Sequence, residues 1–188
     1  MKHTLVALMQ DRPAVLHRVV SLFRRRGYNI DSLAVGQSET VGVSRMSLVV
    51  DAENVEQVVK QLYRLVEVLK VTDVTSERTV ERETALVKVS AQSSTRRDVV
   101  ATANACGAKI LDVASSSIVI EINGDPDEVD RFIEAVRPFG LKEMMRTGRI
   151  AMTRGAPHSS RETRPIQSAR SGGISPVSLA PSGVFPKS

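Results

Sequence analysis

Hydrophobic and polar positions in this chain follow two rhythms, one suited to strands and one to helices. Thr4 to Met9 is an almost unbroken apolar run that predicts a strand, and then Leu16, Val19, Val20 and Phe23 recur at i, i+3, i+4 and i+7, which predicts a helix with one apolar face. Pro13 fits the first helical position, where its missing N–H costs nothing, and Gly27 supplies the left-handed conformation that ends a helix. Arg18, Arg24 and Arg25 fall mostly off the apolar face. Ile30 to Gly36 predicts a second strand, Gln37 to Gly42 a polar connection, and Val43 to Val50 a returning third strand, together a hairpin. Val55, Val58, Val59, Leu62 and Val66 mark a second helix, and Val68 to Thr75 alternates as a fourth strand.

Strand, helix, strand, strand, helix, strand is a split βαβ unit, a four-stranded antiparallel sheet with both helices on one side. Its open face must be covered, by another copy of the sheet or by an edge-to-edge partner, so the pattern alone predicts an oligomer. Ser76 to Thr84 reads as a charged link, after which the pattern restarts with a strand at Ala85 to Ala91 and a helix at Thr95 to Cys106. Gly107, Ile110 and Val113 stand 80 positions after Gly27, Ile30 and Leu33, and Val99 and Val100 match Val19 and Val20 at the same offset. Past a tighter turn at Ser115 to Ser117 the offset is 74, where Val129, Phe132, Ile133 and Val136 match Val55, Val58, Val59 and Leu62. This is a diverged internal repeat. Phe139, Leu141, Met144, Met145, Ile150 and Met152 supply a closing strand and a short extension.

From Arg154 onward periodicity disappears and five of the eight prolines accumulate, so residues 154–188 are expected to be a disordered tail. The tail also changes the meaning of the charge. The chain carries +5, with 26 basic and 21 acidic residues, but five of the former (Arg154, Arg161, Arg164, Arg170, Lys187) and only Glu162 of the latter lie after Thr153. The part with a hydrophobic pattern is close to neutral.

Few kinds of chemistry survive a scan of motifs. There is no phosphate loop, dinucleotide-binding glycine turn, H-E-x-x-H helix or G-x-S-x-G elbow. His3, His17 and His158 share no metal-ligand spacing. Cys106, the single cysteine, continues the helical spacing of Val99 and Ala103 and is expected to be a buried structural thiol. Asp125, Asp127, Glu128 and Asp130 open a helix, where they serve its dipole. The split βαβ sheet is also an RNA-binding scaffold, yet the strands here carry Val, Leu, Met and Ser in place of stacking aromatics, and nucleic acid is not an expected partner. No apolar run approaches the roughly 20 residues of a membrane span, and no basic-then-apolar leader precedes Thr4, so the expectation is a soluble cytoplasmic protein with no membrane partner. One feature would suit a ligand, although every helix start shares it: the mouth of the first helix offers unpaired N–H groups and the positive end of a dipole, which suit a carboxylate.

The residues also resemble a family. D-R-P-A-V-L-x-R-V-x-x-L-F-x-R-R-G-Y-N-I-x-S-L at Asp11 to Leu33, S-R-M at Ser44 to Met46, V-E-R-E at Val80 to Glu83 and L-V-K-V at Leu86 to Val89 resemble the small regulatory subunit of acetolactate synthase over about residues 3–153. The resemblance implies an α+β protein of two ferredoxin-like βαββαβ domains with helices on one face of each sheet. The first, an ACT domain, would span residues 1–77, with a linker at 78–83 and the second domain at 84–153. It further implies a homodimer without catalysis of its own and without a cofactor. Such a subunit binds a catalytic large subunit carrying thiamine diphosphate, Mg²⁺ and FAD, activates it, and confers feedback inhibition by branched-chain amino acids, chiefly valine. The alternative role is a free-standing ACT amino-acid sensor acting on another enzyme or a transcription factor.

The family's effector pocket lies between two ACT domains. Carried over, its positions are Asp11, Pro13, Ala14, Val15 and Leu16 from the helix-mouth turn of one chain, with Asn29 and Ile30 from the other. The helix N–H groups would hold the carboxylate, the Asn29 amide could serve either charged end, and the aliphatic neighbours would enclose an isopropyl group. The second repeat has Ser94 and Lys109 at the corresponding places, so a pocket is expected in the first domain only. Ala14 departs from the family pattern, which has glycine there. Its methyl is expected to crowd the carboxylate and weaken valine binding.

Overall fold

In the computed structural model, which describes residues 1–155, the apolar run at the N-terminus forms the strand β1 (Lys2–Gln10), followed by α1 (Val15–Arg26), β2 (Asn29–Gln37), β3 (Val43–Asp51), α2 (Val55–Leu62) and β4 (Val68–Asp73). The tail beyond Gly155 lies outside the described residues. These strands make an antiparallel sheet in the order β2-β3-β1-β4, with β2 at one edge. Leu5, Ala7 and Met9 on β1 and Met46, Leu48 and Val50 on β3 share the face toward the helices, where they meet Val15, Val19, Leu22, Phe23, Val58 and Leu62 in one core. Phe23 is 1% exposed and its ring meets Tyr28 edge-on at 5.7 Å, so this single side chain contributes about 1.5–3 kcal/mol of hydrophobic burial.

The pattern then repeats as β5 (Thr79–Ser90), α3 (Arg96–Ala105), β6 (Lys109–Val113), β7 (Ser117–Gly124), α4 (Pro126–Val136) and β8 (Leu141–Arg146), with a final strand β9 (Ile150–Thr153). The second sheet is ordered β6-β7-β5-β8, and its core gathers Val87, Val89, Val99, Ile118, Ile120, Val129, Phe132, Ile133 and Val136. The chain is therefore α+β, with two ferredoxin-like units. The acidic run at Asp125 takes its expected place: Asp125 accepts from the Glu128 N–H, the Glu128 side chain accepts from the Asp125 N–H, and Pro126 opens the helix.

Four details differ from the sequence reading. First, α1 begins at Val15, two residues after Pro13, and Ala14 is its N-cap with φ +68°, the one non-glycine residue at positive φ among the described residues. Second, α1 turns Val15, Val19, Leu22 and Phe23 inward and leaves Leu16 and Val20 each 41% exposed, so the apolar face is rotated from the predicted one. Third, Cys106 is exposed, because α3 ends at Ala105 and the cap residue turns away from the core.

Fourth, the charged stretch before Ala85 is strand rather than link: β5 starts at Thr79, and its first four residues pair with β9 from Thr79↔Thr153 to Arg82↔Ile150. β8 and β9 run along the same strand β5, separated by a bulge at residues 147–149. The extra ribbon covers part of the first sheet's open face, where Ala151 joins Val6 and Val74 in a small buried cluster and the Arg45 guanidinium donates to the Ala151 carbonyl at 3.3 Å. The same chain thus supplies some of the cover that was expected from another copy.

Candidate functional site

The turn from Asp11 to Leu16 is set by backbone bonds at its two ends. Asp11 N–H donates to the Gly42 carbonyl at 2.8 Å, tying the turn to the β2–β3 connection, and Arg18 N–H donates to the Ala14 carbonyl at 3.0 Å as the first full helical bond. Asp11, Pro13, Ala14 and Leu16 are exposed, and Val15 is buried beneath them. No side chain caps α1 and no acid lies in its first turn, whereas α2 is capped by Asn54 and α4 by Asp125. Apart from the Val15 N–H, which donates to the Arg12 carbonyl at 3.4 Å, the helix mouth keeps its donors and its dipole uncompensated, an arrangement suited to an anionic group.

The left-handed conformation of Ala14 explains a glycine at this place in physical terms. Cβ crowds the following backbone in this region and costs about 1–2 kcal/mol for residues other than glycine. The expected sign of Ala14→Gly on stability accordingly reverses relative to a helix-propensity argument: the substitution should raise the unfolding free energy by about 1 kcal/mol. Thermal or urea denaturation of the two proteins checks this, and a less stable glycine variant would contradict it.

Asn29 and Ile30 lie at the other end of the sheet. Asn29 pairs with Asp51, which in turn pairs with Lys2 at the start of β1, while the Asp11 turn follows Gln10 at its end. The 12 residues of α1 separate the two groups by about 18 Å. The structure thus brings Asp11, Pro13, Ala14, Val15 and Leu16 together, brings Asn29 and Ile30 together, and keeps the two sets apart within one chain. Asn29 is exposed, and its Nδ2 donates to Asp31 Oδ1 at 2.6 Å. Asp31 is the residue skipped where β2 slips its register between Ile30 and Ser32, and its other oxygen meets Lys2 Nζ at 3.0 Å.

In the second unit the start of the corresponding helix is tied to the neighbouring turn by a side chain. Arg96, at the start of α3, donates from Nη2 to the carbonyls of Ala114 at 2.8 Å and Ser115 at 2.7 Å, bridging the mouth and the β6–β7 turn. The sequence reading matches Ser94 to Ala14 and Lys109 to Asn29 but does not foresee the Arg96 contacts.

It also missed a group of charged residues within the second unit that lines a cavity shared with β2. Glu83, 7% exposed, receives both Nε and Nη2 of Arg146 at 2.7 and 2.8 Å, and Arg146 Nη1 reaches Asp130 at 2.7 Å. The hydrogen bonds it donates to Glu83 hold the Arg146 guanidinium well above its ordinary pKa against the opposing effect of its partial burial. Glu81 meets Arg149 at 3.3 Å. Both acids belong to the V-E-R-E stretch. A cavity of about 430 Å³ beside them is lined by Asp31, Ser32, Leu33, Glu83, Arg146 and Gly148, away from the helix mouth. Among the described residues no cluster of His, Cys, Asp and Glu could hold a metal ion, and no helix is long and apolar enough to cross a membrane.

Comparison with known proteins agrees with this architecture. Residues 5–70 match the model of the AHAS small subunit-like ACT domain, and residues 82–155 match the model described as the small subunit of acetolactate synthase. A probable acetolactate synthase small subunit of Archaeoglobus fulgidus is 48% identical over 157 residues, covering 82% of this chain and 98% of that protein. The acetolactate synthase small subunit of Bacillus subtilis is 40% identical over 169 residues, covering 88% of this chain and 98% of its own length. Among solved structures, the acetolactate synthase small subunit of Thermotoga maritima superposes with a TM-score of 0.76 at 37% identity, covering 83% of this chain and 99% of that one.

Proposed function

The chain belongs to the family of acetolactate synthase small subunits, and on that premise we propose that it is the non-catalytic regulatory subunit of an acetolactate synthase, activating a large subunit and carrying inhibition by valine or a related branched-chain amino acid. The catalytic chemistry, with thiamine diphosphate, Mg²⁺ and FAD, belongs to the large subunit. The observation that carries the regulatory reading is the division of the candidate effector site into two halves at opposite ends of α1.

A homodimer joins those halves. β2 is an edge strand, paired only with β3 among the described strands, and Gln37 at its end pairs with Ser44, level with Met9 and hence near the Asp11 turn. If two β2 strands pair antiparallel about a two-fold axis at Leu33, Asn29 of one chain comes opposite Gln37 of the other and so beside the other chain's helix mouth. The exposed Leu16 and Val20 on α1 and Val35 on β2 provide apolar surface for the same contact. Helix N–H groups then face the carboxylate, and Leu16 and Ile30 enclose the aliphatic end. Two sites form per dimer.

Mixing the full chain with its large subunit is expected to raise the rate of acetolactate formation and to give a co-eluting complex, and valine is expected to reduce the raised rate. Unchanged rate without co-elution would refute the activating role. Sedimentation should show a dimer of the 20.5 kDa chain at micromolar concentration, and a monomer alone would remove the shared site. Ala14 should weaken valine inhibition, so Ala14→Gly should bring it in at several-fold lower concentration with activation unchanged; equal inhibition of both forms would show that the turn accommodates the methyl group.

A further inference from the structure

We propose that Asp31 is a positioning residue for the effector half-site, turning the Asn29 amide so that this half of the site reads the ammonium group of an amino acid. The inference rests on the reading of Asn29 as an effector residue. Chemistry fixes the orientation: a carboxylate only accepts hydrogen bonds, so the 2.6 Å contact to Asp31 Oδ1 must come from the Asn29 Nδ2 donor, which leaves Oδ1 of Asn29 available as an acceptor. An asparagine alone serves either charged end of an amino acid. Asparagine beside this carboxylate offers its oxygen.

Asp31 is itself held. Lys2 Nζ meets its second oxygen at 3.0 Å, and its side chain is only 23% exposed. Its place on β2 is set by the bulge between Ile30 and Ser32, and the next residue, Ser32, accepts through Oγ from the Arg149 N–H of the second unit at 2.7 Å. The bulged strand is therefore held on the lysine side by β1 and on the other by the β8–β9 bulge. The orientation complements the backbone donors of the opposite half-site at the α1 mouth, where the exposed Asp11 carboxylate is the other acceptor. Backbone donors on one side and the Asn29 oxygen on the other match the two charged ends of a zwitterion.

The consequence is discrimination by the α-amino group. Calorimetric titration of the full-length chain with valine and with 3-methylbutanoate, which has the same carboxylate and branched end without the amine, should show a preference for valine of about tenfold or more, the size of one hydrogen bond to a charged group. Asp31→Ala frees the Asn29 amide and should reduce that preference several-fold. Asp31→Asn, whose Oδ1 still accepts from Asn29, should restore most of it, which a merely structural loss at position 31 would not reproduce. The ¹⁵N-resolved side-chain amide signals of Asn29 give a readout without ligand: they should move upfield in Asp31→Ala and stay near their place in Asp31→Asn. An unchanged valine preference in Asp31→Ala, or Asn29 amide signals that do not move, overturns the role of Asp31 while leaving the effector reading intact. A natural chain that binds no branched-chain amino acid overturns the effector reading and the ammonium assignment with it.

Discussion

Gly148→Ala is expected to lower the unfolding free energy by about 2–4 kcal/mol, from a left-handed backbone penalty and an overlap that neither neighbour can relieve cheaply. Gly148 has φ +83°, and a Cβ added there would stand 2.8 Å from the Leu33 carbonyl oxygen and 3.1 Å from Ser32 Oγ. The obstacle is backbone of a paired strand, since Leu33 is registered with Leu48. Giving way would also strain the adjacent bond from the Arg149 N–H to Ser32. Gly107 supplies the control, with φ +68° and nothing within 4 Å of the place a Cβ would take, so Gly107→Ala should lose only the backbone part, about 1–2 kcal/mol. Urea denaturation of both variants checks the difference. Equal losses would show that the β8–β9 bulge does not press on β2. Because the contact falls close to Asn29 along the same strand, amide exchange in the first half of β2 should quicken in Gly148→Ala before the second sheet is affected.

Arg146→Met should be of similar size, about 2–4 kcal/mol, because it strands a buried carboxylate. Glu83 is 7% exposed and Arg146 supplies two donors to it, so the substitution removes a bidentate partner and leaves the acid without compensation. Arg146 itself is 31% exposed, which keeps the loss below that of a completely buried pair. Glu83→Gln should cost less, since the guanidinium keeps Asp130 and the amide oxygen still accepts. The double variant Glu83→Gln, Arg146→Met should recover a substantial part of the loss in Arg146→Met, and strictly additive effects in this cycle would show that the two residues do not interact.

These two groups also mark the limit of what could be read along the chain. The elements themselves were legible because their signals are local: the 3.6-residue spacing of Val129, Phe132, Ile133 and Val136 faces one core, and Asp125 with Glu128 caps its helix within three residues. The fold class followed from the order of those elements and from the 80- and 74-residue offsets between the two repeats. The proposed effector half-sites come from the resemblance alone, their residues falling in one continuous stretch from Asp11 to Ile30.

What the tertiary structure decided depends on contacts far apart in sequence or on a backbone angle that side-chain identity conceals. In α1, apolar residues at 15, 16, 19, 20, 22 and 23 make a stripe wide enough for more than one inward centre, and only docking on the sheet buries Val15 and Leu22 while exposing Leu16 and Val20. Nothing in an alanine announces φ +68°, because that angle is imposed by the route the chain takes from Gln10 to α1. The stretch before Ala85 looked like a solvated link because its acids have no partner nearby in sequence. Glu83 finds Arg146 and Glu81 finds Arg149 more than 60 residues later, and pairing with β9 makes the link a strand. Sequence periodicity therefore set which segments form helices and strands, through local sterics and burial. Long-range pairing set which face each helix turns inward, where the charges are neutralised, and how the second unit reaches β2.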